Sequence, residues 1–405
     1  MKLLLTIFSL CWGVLIYAQN VNIPDANFKN ALLAHGYNIL GYNINIIDTN
    51  GDGEIQVSEA QTYSGIINVN SRNITSLIGI EAFTSLTELH CYSNQLSSLD
   101  LGSNTALEKL YCSDNQLGNL SLVGNTALYL LDCSNNQLSN LELSHNTALV
   151  SLYCSNNLLD SLDLSNNLVL YTLICGNNLF SDLDLSSNTL LYILDCTNNQ
   201  LGYLDVSNNA ALAVFNCSNN QLSSLNVGNN IALGELRCNN NSLNSLDLSN
   251  NANLYWLICT DNQLVSLNVK NGTNSQLVVF DARNNPNLSC IEVDDSTYST
   301  NHWTNVDAIA SFSTACPVLS TRAVQENLEA VEVFPNPTTK NIWVDLGKKY
   351  NNIRLQLRNA MGQLVMTKNY TGMEEVNIDL EGASGLYFLS LETEEGIASI
   401  KVVKE

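Results

Sequence analysis

The stretch LTELHCYSNQLSSLDLGSNTA, Leu86 to Ala106, decides the fold, because it returns with small changes all along the middle of the chain. LYLLDCSNNQLSNLELSHNTA, Leu128 to Ala148, is the same sentence two units later. Nine cysteines, Cys91, Cys112, Cys133, Cys154, Cys175, Cys196, Cys217, Cys238 and Cys259, recur at an unbroken spacing of 21 residues. Each has Leu at minus 5 and minus 2, Asn at plus 3 and Leu at plus 5 and plus 8, with only Phe180 and Phe215 replacing a frame Leu. A unit of this length cannot bury its own apolar stripe, whereas stacked units share one continuous core.

The frame assigns a job to each position. Leu and Cys point inward, and the Asn at plus 3 (Asn94 to Asn262) falls where the chain leaves its strand. An inward amide there can satisfy the backbone of adjacent coils, so this column reads as a hydrogen-bonded ladder rather than a site. A second Asn at plus 13, from Asn104 to Asn251, marks the other turn and fails at Gly272, where two residues are inserted. In the first coil Ile67, Val69, Arg72, Ile74 and Leu77 take the Leu, Cys, Asn, Leu and Leu slots, and in the last Ala282 and Asn285 take those of Cys and Asn. Val69 to Ala282 makes 11 coils, a stack roughly 50 Å long at a strand spacing of about 4.8 Å.

These repeats resemble leucine-rich repeats, and in their cysteine column the internalin class of bacterial surface proteins. The resemblance implies a curved, non-enzymatic scaffold for adhesion to a protein or glycan. The fold expected is mainly β: a leucine-rich repeat solenoid with a short helical N-terminal cap and a C-terminal β-sandwich domain. Alternation along each strand puts the residues at minus 3, minus 1 and plus 1 from Cys on the concave side. The candidate surface there includes His90, Tyr92, Tyr111 and Tyr153, with Tyr129, Tyr171, Tyr192 and Tyr255 at minus 4 on the flank and Trp256 beside the last. Exposed aromatics suit protein partners or sugar rings; the plainer reading is that Tyr fills space between coils.

Charge and compartment narrow the partners. The chain has 405 residues, a formal charge of -22 and only 16 Lys and Arg, which disfavours nucleic acid or an anionic membrane as ligand. Residues 1–18, with Lys2, an apolar run and Ala18, read as a secretory signal cut near Gln19, and Cys11 would leave with it. No later stretch is apolar enough to span a bilayer, so no transmembrane span is expected in the mature chain. Export permits disulfides. The ladder cysteines nevertheless read as free buried thiols, since β-carbons that all point one way make poor bridges and stacked sulfurs cannot enclose a tetrahedral ion. Cys290 and Cys316 lie outside the ladder, and a disulfide closing the cap is expected there, the alternative being two unpaired thiols.

The flanks have their own signatures. Residues 19–66 form an N-terminal cap in which Asp25 caps a helix with the apolar face Phe28, Leu32 and Leu33. The run Asp48-Thr-Asn-Gly-Asp-Gly-Glu-Ile-Gln-Val-Ser-Glu59 then fits D-x-[DN]-x-[DN]-G-x5-E at every specified position. It resembles the EF-hand or dockerin calcium loop, which implies oxygen ligands from Asp48, Asn50, Asp52, the Glu54 carbonyl and Glu59 around a structural calcium; the alternative is a turn that merely looks like one. A solenoid over 67–289 leads to a C-terminal cap over 290–316, where Trp303 covers the last coil, and to a linker over 317–328.

Residues 329–405 read as seven short strands. Phe334-Pro-Asn-Pro337, Asn359-Ala-Met-Gly362, Ser384-Gly-Leu-Tyr-Phe388 and the basic end at Lys401 and Lys404 resemble the C-terminal sorting domain of the type IX secretion system. That implies engagement of the type IX machinery and a place in the medium or on the outer-membrane surface of a Gram-negative bacterium. Alternative functions are a structural envelope spacer or, with less support, a secreted hydrolase. His35, His90, His145 and His302 sit in no nucleophile or metal motif, and the Asp column Asp100, Asp163, Asp184, Asp205 and Asp247 belongs to the repeat.

Overall fold

The computed structural model describes residues 19–36, 46–316, 331–359, 364–380, 384–393 and 397–404. The expected signal peptide, the linker 317–328, the 37–45 flank of the acidic loop and positions 360–363 of the Asn359 turn lie outside the described residues. Two compact units meet in sequence at Pro317.

Each coil of the first unit offers the three residues before its Cys slot as a strand, from Ile66–Asn68 to Val279–Asp281. The 11 strands form one parallel sheet in chain order, matching the expected number of coils. Register repeats without a slip: Leu89 pairs with Leu110, and Leu110 with Leu131. The middle residue of each strand is buried and its neighbours are mostly half-exposed. All nine ladder cysteines are free and fully buried. Loss of solvent pushes the thiols of Cys91, Cys154 and Cys238 up to about 12, so they behave as small apolar side chains.

The Asn ladder takes the form its spacing implies. Asn157 Nδ2 donates to the carbonyls of Cys133 in the preceding coil and Cys154 in its own, while Oδ1 accepts from Leu138 N at 3.0 Å. One side chain thus satisfies three backbone groups in two coils. The residue before it, Asn or Asp in most coils, has φ of 52–56° from Ser93 to Asp261, a left-handed conformation that Asn and Asp tolerate best among residues with a side chain. The Asp column turns inward on itself: Asp163, Asp184 and Asp205 each accept from the backbone N–H two residues on.

The second Asn column corrects the sequence reading. Asn104 to Asn251 are fully buried and donate to carbonyls of the preceding coil, as Asn146 does to Leu122 and Asn125. The column does not fail at Gly272. Asn271 keeps the column's bond to the preceding coil, donating to Asn251 O, whereas buried Asn274 donates to Val269 O of its own coil. A further departure is a second parallel sheet on the last coils, Ser245–Asp247, Ser266–Asn268, Cys290–Glu292 and Ser311–Ser313. The cap beyond residue 290 therefore continues the stacking.

Both ends of the core are closed by side chains. Asp25 accepts from Phe28 N with one oxygen, capping helix Ala26–Leu33, and from Thr75 and Ser76 N with the other, tying that helix to the first coil. The helix buries Phe28, Ala31 and Leu32, with Leu33 only partly covered. At the far end Trp303 stacks on Phe280 with centroids 4.4 Å apart. Asp307 accepts from Asn284 and Asn285 N, the two donors that inner coils give to the next coil's carbonyls. Cys290 and Cys316 form a disulfide.

The second unit packs two antiparallel sheets around Ile342, Val344, Leu355, Ile378, Leu389 and Val402. One holds Glu332–Phe334, Asn341–Tyr350 and Met373–Asp379; the other holds Leu364–Tyr370, Ile353–Asn359, Gly385–Thr393 and Ile397–Lys404. Asn341–Tyr350 is long because a register shift after Asp345 lets pairing resume at Tyr350. Asn336 of the entry motif donates to Lys401 O and accepts from Val403 N. The motif therefore closes the outer edge of the final strand, where open N–H and C=O groups would otherwise invite another chain.

Candidate functional site

The concave face is built by the strand pattern itself. His90, Tyr111 and Tyr153 are the last residues of their strands, and Tyr92 follows Cys91; all are half-exposed above the buried Leu and Cys rows. His90 stacks on Tyr111 at 4.4 Å. Its ring also meets Glu88, whose second oxygen accepts from Lys109 Nζ at 3.0 Å. Burial alone would raise Glu88; the hydrogen bonds from His90 and Lys109 outweigh it and hold the carboxyl below its usual range. Lys109 is raised by the same bond and lies over the Tyr129 ring at 5.8 Å.

Glu88 and Lys109 belong to the minus 3 column, which the aromatic reading passed over; its variability beside a fixed core was the available signal. Trp256 belongs there too. It opens strand Trp256–Ile258 on the concave side rather than sitting on the flank beside Tyr255, and Arg237 lies over its ring at 5.0 Å. Tyr171 and Tyr192 stack in parallel at 4.9 Å on the flank. Tyr255 lies across Gly234, where a Cβ would come within 2.7 Å of the ring. The surface residues therefore form an N-terminal cluster around His90, a central tyrosine pair and a C-terminal cluster around Trp256.

The acidic loop is a separate feature of the cap. Asp48 accepts from Gly51, Asp52 and Gly53 N, Asn50 Oδ1 from Asp52 N, and Asp52 Oδ1 from Glu54 N. Buried Glu59 accepts from Thr49 N and Oγ1 with one oxygen and from Gln56 N with the other, the latter as part of the capping box of helix Val57–Thr62. Glu54 reaches outward to Lys29 at 2.6 Å. The donor set suits a hard oxygen-seeking cation. In this arrangement the loop's own amides hold its carboxylates, and no three acidic, His or Cys side chains converge among the described residues.

Comparison with known proteins separates the two units. Residues 332–405 match the secretion system C-terminal sorting domain family. The tail is a type IX sorting domain. No curated relative matches the chain. Among solved structures, an internalin (inlF) from Listeria monocytogenes is 21% identical over 75% of this chain and 99% of its own, with a TM-score of 0.61. The functional domain of InlJ from the same organism, described as including a cysteine ladder, is 21% identical over 96% and 98%, with a TM-score of 0.42. The likeness to inlF establishes the leucine-rich repeat fold of the coils. The sorting domain marks the chain for secretion or the cell surface, and no helix among the described residues is long and apolar enough to cross a membrane.

Proposed function

We propose that this is a non-enzymatic, type IX-exported binding protein whose concave face holds a protein or glycan at the bacterial surface. One observation carries the reading: half-exposed columns that change from coil to coil stand on Leu, Cys and Asn columns that scarcely change. Stability needs only the fixed columns, so the variable ones are free to specify a ligand. Screening the exported protein against glycans and surface proteins tests it. A ligand should bind and be weakened at least tenfold by His90→Ala with Tyr111→Ala, or by Arg237→Ala with Trp256→Ala, in folded protein. A screen without such a ligand would favour the spacer reading.

The loop from Asp48 to Glu59 completes the proposal as a calcium clamp on the cap. Its support is spacing and donor chemistry. Asp48, Asn50, Asp52, the Glu54 carbonyl and Glu59 would hold the ion, which requires Glu59 to release Thr49. Thermal unfolding in calcium should exceed that in chelator by several degrees, and Glu59→Ala should erase the difference. Since Glu59→Ala also removes a capping contact worth about 1 kcal/mol, the calcium-dependent difference, rather than the absolute midpoint, is the deciding quantity.

A further inference from the structure

The coils of Cys154 and Cys175 break the repeat in one direction. Where the three preceding coils place Thr and Ala after the second-column Asn (Thr105-Ala106, Thr126-Ala127, Thr147-Ala148), the first of these places Leu168-Val169 and the next Thr189-Leu190. None of the substitutions enters the core. Leu168 is 57% exposed, Val169 41% and Leu190 52%, and they lead into Tyr171 at 43% and Tyr192 at 37%. Val169 and Leu190 are equivalent positions of neighbouring coils, as are Tyr171 and Tyr192, so the five residues form one patch. On the side where the chain leaves the strand, Leu158 and Leu179 replace the usual Gln of the repeat and are also exposed.

The charge around this patch has one sign. Between Lys109 and Arg237 the sequence holds ten Asp and Glu and no Lys or Arg. On the same two coils Asp160, Asp163, Asp182 and Asp184 are all exposed. An apolar window on coils whose exposed charges are all carboxylates attracts cations to its surroundings and apolar groups to its centre. A second copy of this chain would set acidic against acidic. Sugar stacking is less favoured, because Tyr171 and Tyr192 lie face to face at 7° and each ring already gives one face to the other.

From these observations we infer that Leu168, Val169, Tyr171, Leu190 and Tyr192 form a docking window for a basic protein segment, one with apolar anchors set among Lys and Arg. The inference rests on the binding role proposed above and assigns its central contact to the flank of the middle coils. Its specificity would come from two terms with different salt dependence, since apolar burial persists where charge attraction is screened.

The test uses the exported full chain and three probes: an amphipathic peptide of Leu and Lys, the same peptide with Glu for Lys, and chitohexaose. The Leu/Lys peptide should bind. Leu168→Thr with Val169→Ala and Leu190→Ala installs the residues of other coils without altering charge, and should weaken binding at least tenfold at an unchanged melting temperature. Asp163→Asn with Asp184→Asn keeps the acceptors for Ser165 and Ser186 N, and should weaken binding severalfold and flatten its salt dependence. The inference is overturned if no peptide binds, if the triple variant binds like the parent, or if the Glu peptide or chitohexaose is the probe that needs the window. A screened ligand that depends on His90 or Trp256 but ignores the triple variant would remove the window and leave the proposed function standing.

Discussion

In the coil stack a strand pairs with its equivalents one coil before and after, so every bond of the sheet is local along the repeat axis. In the C-terminal unit Ile353–Asn359 pairs with Leu364–Tyr370 on one side and with Gly385–Thr393 on the other, and Asn341–Tyr350 pairs across to Met373–Asp379. The first arrangement tolerates growth by whole coils and concentrates its needs at the two ends; the second closes on itself and fails as a whole. An asparagine illustrates the contrast in each. Asn157 and Asn336 both bridge separate backbone segments as donor and acceptor, but Asn157 is buried between coils and Asn336 is exposed.

The largest expected effect concerns export. Deleting residues 331–405 should abolish delivery to the surface of the native host while the coil unit, with its own core and both caps, keeps its melting temperature. Periplasmic fractionation and calorimetry read the two halves of that statement; undiminished export of the truncated chain would deny the tail its role as an address.

Next come the two asparagines. Asn157→Ala leaves the Leu138 N–H unpaired in the interior and takes one of two amide donors from the Cys133 and Cys154 carbonyls, which keep Asn136 and Asn178, at a cost of about 3 kcal/mol in urea unfolding of the coil unit. Asn336→Ala exposes its partners to water and should cost about 1 kcal/mol, confined to the tail. Equal losses would mean that burial does not set the difference.

A pH dependence should distinguish the units as well. Buried His35 accepts from Asn68 N at the first strand, and burial, reinforced by the Arg72 charge, lowers its pKa from 6.5 to about 4. The folded form holds fewer protons than the unfolded one between these values. The stabilisation is therefore complete above pH 6.5 and is lost as pH falls toward 4, by about 3 kcal/mol in total. The tail contains no His and should lack this component. His35→Gln should flatten the coil unit's profile over that window; an unchanged slope would assign it to carboxylates.

The smallest effect is a null result with content. Native protein at pH 8 should leave all nine ladder thiols unlabelled by a maleimide, and denatured, unreduced protein should expose all nine while Cys290 and Cys316 stay paired. Labelling of Cys154 or Cys175 in folded protein would show coils opening one at a time.

The sequence by itself determined the coil number, the inward Leu, Cys and Asn columns, the helix cap at Asp25, the covering Trp303 and the seven strands of the tail, because each follows from period, local backbone chemistry or a short motif. Only the tertiary structure decided what depends on partners distant along the chain. Asp307 looks like any loop aspartate until Asn284 and Asn285 point at it. Asn271 and Asn274 look displaced until the preceding turn is seen to accept the first and Asp294 N to donate to the second. Trp256 was already placed by the minus 3 rule, whereas the second sheet needed Ser245–Asp247 to lie alongside Ser266–Asn268 of the next coil. The acidic loop shows the limit most plainly: spacing names its oxygen donors, but only packing shows that Glu59 binds Thr49 and Gln56 in this conformation. A repeat specifies what every coil shares, whereas ends, insertions and rims are fixed by whichever backbone groups the neighbouring coil leaves unpaired.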